Sequence, residues 1–138
     1  MNQEPPPGRI LDALERTGQR EDTLVIFMSE HSEMLGDHGL RLKGCRFYEG
    51  LVHVPLIVSW PGQLRAGLRS AALVELLDLA PPLLEATGLP LPAHMQGRSL
   101  LPLLAGQAEP DRHRCTGYFG HPRGSQRCRV ARVGRRAQ

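Results

Sequence analysis

The apolar run over residues 23–28 limits the folds open to this chain more than any other segment. Its sequence is Thr-Leu-Val-Ile-Phe-Met, and polar residues bound it on both sides. An unbroken run of this kind is typical of a parallel strand buried on both faces of a sheet. The helical spacing of apolar residues over 10–14 predicts a preceding helix that ends near Gly18. A helix, a short turn and a buried strand together predict an α/β layered fold.

Two further strands are predicted along the chain. The first is Val52–Trp60, where Pro55 should lie at the start of the strand or on a sheet edge because proline cannot donate a ladder hydrogen bond. The second is a short strand over residues 73–77. Between the first two strands, residues 29–50 are too polar and too rich in glycine for a core element, and they are predicted to form a long functional loop.

Two helices are predicted in the remainder of the chain, each beginning at a residue that can accept a backbone hydrogen bond. Asp78 is predicted to cap a helix over residues 79–87, which Gly88 ends. Ser99 is predicted to cap a second helix over residues 100–105. The two prolines after Leu79 fall in a first turn, where a missing N–H breaks no helical bond.

Charge divides the chain into two predicted parts. Residues 112–138 carry eight arginines and no acid, a net charge of +8, whereas residues 1–111 carry nine bases and fourteen acids, a net charge of −5. The predicted domains are therefore a globular part over 1–106 and a basic, poorly ordered tail over 107–138. Such a tail can bind an acidic surface. Because it lacks interleaved aromatic residues, nucleic acid is not the favoured partner.

Cysteine usage and hydropathy lead to an expectation about location. Three cysteines without a close pair form neither a disulfide framework nor a zinc site, which favours a reducing compartment. No apolar run approaches the length that spans a membrane, and residues 1–7 have neither a basic region nor an apolar region of a signal peptide. The chain as written is expected to be cytoplasmic, with no membrane partner.

The candidate functional residues lie in the loop after the first strand, where α/β sheets place their sites. Glu30 offers carboxylate oxygens that suit Ca²⁺ or Mg²⁺, and His31 offers a nitrogen for the cation or a hydrogen bond for an anion. Lys43 can neutralise an anionic oxygen, and His38 is a second candidate for binding substrate. Each also has a simpler interpretation. Glu30 and His31 can be a loop cap, and Lys43 and His38 can be solvated loop residues. Two ligands alone cannot hold a hard cation.

Several segments, in one order along the chain, resemble the sulfatase family. The resemblance covers residues 8–106 and rests on the following segments: Asp22-Thr-Leu-Val-Ile-Phe-Met-Ser-Glu-His-Ser-Glu-Met-Leu-Gly-Asp-His-Gly39, Lys43-Gly44, Tyr48-Glu49-Gly50-Leu51-Val52-His53-Val54-Pro55-Leu56-Ile57, Trp60-Pro61-Gly62, Leu77-Asp78-Leu79-Ala80-Pro81 and Gly97-Arg98-Ser99-Leu100-Leu101-Pro102-Leu103-Leu104.

The resemblance implies a partial α/β/α sandwich of the alkaline-phosphatase/sulfatase type and hydrolysis of sulfate esters. In the family, a cysteine matured to formylglycine attacks sulfur beside a divalent cation. By match, Glu30 and His31 stand at metal-ligand positions, with Ca²⁺ favoured over Mg²⁺, and Lys43 stands at the position of a sulfate-contacting lysine. A cation and a lysine would stabilise the charge on the transferring group.

The sequence departs from the family pattern at three points. The Cys-x-Pro/Ala-x-Arg motif of the nucleophile is absent; the nearest spacing, Cys128 to Arg132, has valine in the Pro/Ala position and is interpreted as chance. Glu30 replaces an aspartate, which moves the carboxylate by about 1 Å. Ser32 replaces a glycine, at a cost of about 1–2 kcal/mol if that residue has positive φ.

The resulting hypothesis is a C-terminal part of a sulfatase catalytic domain that is inactive alone. Its partners would be a sulfate ester in the intact enzyme and a complementing N-terminal chain. One alternative is a phosphonate or phosphodiester hydrolase of the same superfamily. The other is a non-catalytic binding or assembly module that uses loop 29–50 or the arginine-rich tail.

Overall fold

The computed structural model describes residues 6–44 and 48–107, so all but the first residue of the predicted tail lies outside the described residues. The elements, in chain order, are α1 (Pro6–Arg16), β1 (Val25–Met28), a 3₁₀ turn (Asp37–Gly39), α2 (Glu49–Val52), β2 (Leu56–Ser59), a 3₁₀ helix (Leu76–Leu79), α3 (Ala80–Ala86) and α4 (Leu101–Leu104). Within these described residues, no helix is long and apolar enough to cross a membrane.

The two strands pair antiparallel, with Val25 opposite Ser59 and Met28 opposite Leu56. The prediction of a parallel strand buried on both faces is therefore wrong for the described sheet. Phe27 and Met28 keep 46% and 37% of their surface exposed, so the end of β1 is only partly covered. The reason for the error is that an apolar run indicates how many faces a strand can bury, but not the direction of the strand beside it.

The second strand is shorter than predicted, because Val52 ends the one-turn helix α2 and the strand starts only at Leu56. The predicted place of Pro55 is confirmed, since it lies directly before the first strand residue. The predicted third strand over 73–77 is wrong. Two of its residues, Leu76 and Leu77, belong to the 3₁₀ helix, and no described strand contains the others.

The core lies against one face of the two-stranded sheet. Its buried residues come from β2, from the segment before the 3₁₀ helix and from α4: Leu56, Val58, Ala72, Val74, Leu100, Leu103 and Leu104. On β1, Ile26 packs against this cluster from the same sheet face. Burial of each leucine or valine side chain stabilises the fold by about 1.5–3 kcal/mol, so apolar packing holds β2 and α4 together.

Helices α1 and α3 form close to where their sequences predict them. Helix α1 ends at Arg16, two residues before Gly18 at φ +69°. Helix α3 begins with Ala80 and has two prolines, both buried, in its first turn. Gly88, at φ +71°, follows its end as predicted.

Asp78 does not cap α3 as predicted. It lies inside the 3₁₀ helix, only 1% exposed, and its two carboxylate oxygens accept the backbone N–H groups of Glu75 at 2.8 Å and Arg98 at 2.9 Å. Buried carboxylates need such donors, because an unpaired charge is costly to desolvate. Asp78 therefore joins the 3₁₀ helix to the segment that enters α4. At the start of α4, Ser99 Oγ accepts the N–H of Leu101 at 3.2 Å, close to its predicted role.

Candidate functional site

The loop after β1 folds back on itself about His38. The Leu35 N–H donates to the Arg41 carbonyl at 3.2 Å, and the Gly36 N–H donates to the Leu40 carbonyl at 2.7 Å. Leu35 and His38 both have left-handed backbone angles, φ +48° and +50°, which few non-glycine residues adopt. The two backbone hydrogen bonds bring the residues before 35 alongside those after 41. We call residues 29–44 the fold-back loop.

The outgoing half of the fold-back loop is fixed to the rest of the chain. The Ser32 N–H donates to the Leu51 carbonyl of α2 at 2.9 Å, and Met34 is 3% exposed. The Ser29 hydroxyl donates to the His31 carbonyl at 2.7 Å. Ser32 does not have positive φ, so the condition for a backbone penalty at this departure from the family pattern is not met.

His31 and Lys43 come together in the fold-back loop. Nδ1 of His31 lies 2.9 Å from the Ser32 carbonyl oxygen, and Nε2 lies 2.5 Å from Nζ of Lys43. A carbonyl only accepts, so Nδ1 carries the proton and Nε2 presents its lone pair to the ammonium. The structure thus places a neutral imidazole and a positive charge at one point, on the exposed side of the loop.

Glu33 connects the two halves of the loop beyond the last backbone hydrogen bond. Its Oε2 accepts the backbone N–H of Lys43 at 2.7 Å. Sequence reasoning assigned Glu33 no role. No sequence signal marks it, because any carboxylate in a polar loop can accept a backbone N–H and its partner is ten residues away.

Glu30 is exposed, and across residues 6–44 and 48–107 its carboxylate makes no hydrogen bond or ion pair. Its oxygens remain open to a ligand from solvent. The two predicted metal ligands are neighbours in the chain, but only Glu30 is free to bind. A cation at Nε2 of His31 would replace the Lys43 ammonium there, because one lone pair cannot serve both.

The donors at the predicted metal site suit a cation in kind but not in number. A carboxylate oxygen and an imidazole with an available lone pair are both metal-binding groups. The part of the chain that the structure describes contains no group of three or more His, Cys, Asp or Glu residues that could hold a metal ion. A hard cation takes six or more ligands, so most of its shell would have to come from other groups or water.

His38 contacts a different partner from Lys43. Its ring stacks on Tyr48 with the centroids 4.2 Å apart and the planes at 20°. Nε2 of His38 lies 3.9 Å from Asp37, and the Asp37 carboxylate accepts the His38 backbone N–H at 3.0 Å. Tyr48 precedes α2, so the stack ties the tip of the fold-back loop to that helix. The sequence alone did not identify Tyr48 as the partner of His38.

Glu49 pairs with His53. Oε1 of Glu49 lies 3.0 Å from Nδ1 of His53, one turn further along the chain. Both side chains are about half exposed, so the pair contributes little to stability. The pair joins the first residue of α2 to the residue that follows the helix.

Comparison with known proteins identifies the family. Residues 36–132 match the family model described as N-sulphoglucosamine sulphohydrolase, C-terminal. The chain belongs to the sulfatase family. Arylsulfatase K of Homo sapiens is 40% identical over 96 residues, which are 70% of this chain and 18% of that protein. The predicted membership is confirmed, and the chain matches only 17–19% of the length of its curated arylsulfatase K relatives.

Solved structures of the superfamily share the fold of this sulfatase-family chain. A protein solved in complex with its substrate D-glucosamine-2-N,6-O-disulfate superposes with a TM-score of 0.72 at 33% identity, over 88% of this chain and 25% of the other. The phosphonate monoester hydrolase of Silicibacter pomeroyi superposes with a TM-score of 0.71 at 37% identity, over 78% of this chain and 21% of the other. The predicted α/β fold of the alkaline-phosphatase/sulfatase type is confirmed. The match to the family model runs past residue 106, and the domain boundary there stays a prediction.

Proposed function

We propose that this chain is the C-terminal part of a sulfatase catalytic domain and that its fold-back loop binds the sulfate group of a sulfate ester. The observation that supports this is the 2.5 Å contact between Nζ of Lys43 and Nε2 of His31. An ammonium held by a neutral acceptor has further N–H donors for an anion. Membership of the sulfatase family supplies the substrate class.

Lys43 would act by electrostatic stabilisation. When the ester bond to sulfur breaks, its electron pair passes to the leaving oxygen, where negative charge grows, while the oxygens of the transferring group keep their negative charge. A positioned ammonium lowers the energy of that arrangement more than that of the free ester, which accelerates the reaction. Removal of one such donor costs about 100- to 1,000-fold in turnover in well-studied enzymes.

Glu30 and His31 are the residues of this chain that would hold the divalent cation, and Ca²⁺ is the ion we favour. A cation at Nε2 of His31 would displace the Lys43 ammonium from that nitrogen and leave all its N–H donors to the sulfate oxygens. When bound, the cation would polarise the sulfate oxygens as a Lewis acid. His31 orients its ring through the Nδ1–H donated to Ser32, which leaves Nε2 as the only nitrogen that can coordinate. Calcium titration of the chain should perturb the signals of Glu30 and His31. Glu30→Ala should abolish that response, whereas Glu21→Ala, an exposed glutamate before β1, should not.

Sulfate binding by the chain itself is the most direct test of the proposal. Sulfate added to the 138-residue protein should shift the NMR signals of the Lys43 amide and the His31 ring, and Lys43→Ala should remove the response. Arg41→Ala is the matched control, because Arg41 is an exposed cation in the same loop. An equal response in wild type and Lys43→Ala would contradict the proposal.

The chain alone should hydrolyse no sulfate ester, because its sequence lacks the nucleophile motif of the family. A complementing N-terminal part would supply that nucleophile and the remaining ligands. The measurement is hydrolysis of an aryl sulfate by the purified protein. Turnover that Lys43→Ala abolishes would show that the chain is active without a partner.

A phosphonate or phosphodiester substrate is the second candidate, favoured by the similarity to the phosphonate monoester hydrolase of Silicibacter pomeroyi. Lys43 neutralises a phosphonate oxygen as well as a sulfate oxygen. Parallel titrations with methyl sulfate and a methylphosphonate monoester separate the candidates. Tighter binding of the phosphonate would favour the hydrolase of that class.

A further inference from the structure

We infer that Glu33 is a positioning residue, which holds Lys43 beside His31 and thereby sets the anion-binding strength of the fold-back loop. The anion-binding consequence rests on the proposed function, whereas the geometric claim does not. The hydrogen bond of the Glu33 carboxylate goes to the backbone N–H of Lys43 and not to the ammonium. Glu33 acts through the backbone of Lys43.

The two halves of the fold-back loop have no backbone hydrogen bond beyond the one from Leu35 to Arg41. Two residues beyond that bond on each half, the Glu33 carboxylate accepts a hydrogen bond from the Lys43 N–H at 2.7 Å. This is the only hydrogen bond that residues 6–44 and 48–107 give the Lys43 backbone. A charged acceptor makes such a bond roughly twice as strong as a neutral one.

The position of His31 does not depend on Glu33, whereas the position of Lys43 does. The ring of His31 is oriented by the Ser32 carbonyl, and Ser32 is tied to Leu51 of α2. Lys43, by contrast, precedes Gly44, which has φ +54°. The Lys43 ammonium lies at the end of a flexible four-carbon side chain. Fixing its backbone reduces the number of positions that Nζ can reach, so the contact with Nε2 depends on the Glu33 bond.

A loop carboxylate with a purely structural or purely electrostatic role would behave differently from a positioning residue. Glu33 brings a negative charge near a proposed anion site, so by charge alone its removal would tighten sulfate binding. Its hydrogen bond has the opposite effect, because loss of the bond releases Lys43. Glu33→Gln removes the charge and keeps an acceptor, whereas Glu33→Ala removes both.

The experiment compares these variants by NMR of the isotope-labelled 138-residue chain. In Glu33→Ala, the Lys43 amide hydrogen should exchange with solvent about tenfold faster, a factor that corresponds to about 1.4 kcal/mol. The His31 Nε2 resonance should also shift, because the Lys43 ammonium leaves that nitrogen. Because a neutral acceptor makes a weaker bond, Glu33→Gln should change both signatures less than Glu33→Ala does. Glu49→Ala, which removes an exposed glutamate that pairs with His53, should change neither.

Each result either supports the inference or overturns it. Unchanged Lys43 exchange and His31 shift in Glu33→Ala would overturn it, and so would a Glu33→Gln that behaves like Glu33→Ala. If Glu33→Ala fails to fold, Glu33→Asp replaces it, because its shorter side chain should not reach the N–H. If wild type does not bind sulfate, the proposed function fails, but the His31 and Lys43 signatures still test Glu33. If wild type binds sulfate, Glu33→Ala should weaken binding more than Glu33→Gln does.

Discussion

His31 and Lys43 are separated by eleven residues in the chain, and their side chains meet at 2.5 Å. The contact exists because the fold-back loop reverses at His38 and brings its two halves side by side. Lys43 is exposed and His31 is half-buried, so the ammonium is available to an anion from outside. Its exposure also means that mobile ions screen it.

Sulfate binding at Lys43 should weaken as ionic strength rises. Between about 0.01 M and 0.15 M salt, the Debye length falls from about 30 Å to about 8 Å, which shortens the range of an exposed charge. Sulfate titrations followed by the His31 ring signals should show this loss in wild type. Lys43→Met keeps much of the side-chain length without the charge, and its residual response should be nearly independent of salt. A similar salt dependence in both proteins would contradict the role of Lys43.

Asp78→Asn should destabilise the fold by about 1–3 kcal/mol. The buried carboxylate of Asp78 accepts two backbone N–H groups, from Glu75 and from Arg98. An amide can offer one oxygen to one of them and must turn its own donor towards the other. Urea unfolding measures the change, with Asp22→Asn as a control at an exposed aspartate. Equal unfolding midpoints of the two variants would show that the Asp78 bonds add nothing to stability.

Gly97→Ala should also destabilise the fold, through a direct clash. A Cβ at Gly97 would lie 2.0 Å from the Leu77 carbonyl oxygen and 3.2 Å from Cδ of Pro81, so backbone would have to move. Gly50→Ala is the matched control, since its Cβ would lie 3.4 Å from the Asp37 carboxylate, an ordinary contact distance. Gly50 lies in helix α2, and alanine is favoured over glycine in a helix by about 1 kcal/mol. Thermal unfolding should show a lower midpoint for Gly97→Ala and an unchanged or higher one for Gly50→Ala.

The fold could be predicted from the sequence where a local pattern determines the element. Helix α1, the strand near 23–28 and the place of Pro55 follow from apolar spacing and from the missing N–H of proline. The direction of β1, the false strand at 73–77 and the role of Asp78 depend on distant parts of the chain. A carboxylate before a helix predicts a cap, and only the tertiary structure shows that Asp78 binds Arg98 instead.

The site could be predicted as separate residues but not as an arrangement. Family-like segments identified Glu30, His31 and Lys43, and their roles in binding metal and sulfate stay predictions. The meeting of His31 with Lys43 depends on the reversal of the loop, which requires a left-handed backbone at Leu35. Leucine carries no signal of that conformation, because it rarely adopts it. Glu33 was missed for the related reason that its partner is a backbone N–H, which every residue except proline has.

His38 combines a favourable stack with an unfavourable backbone angle, and two substitutions should separate them. His38→Ala loses the contact with Tyr48 and keeps φ near +50°, where a Cβ costs about 1–2 kcal/mol. His38→Gly loses the same contact but relieves the backbone. The glycine variant should therefore be more stable than the alanine variant by about 1 kcal/mol in urea unfolding. His94 is exposed and does not have positive φ, so it is the control position. There, the glycine variant of the protein should be no more stable than the alanine variant. An alanine variant at 38 as stable as the glycine variant would show that the left-handed angle carries no penalty in this loop.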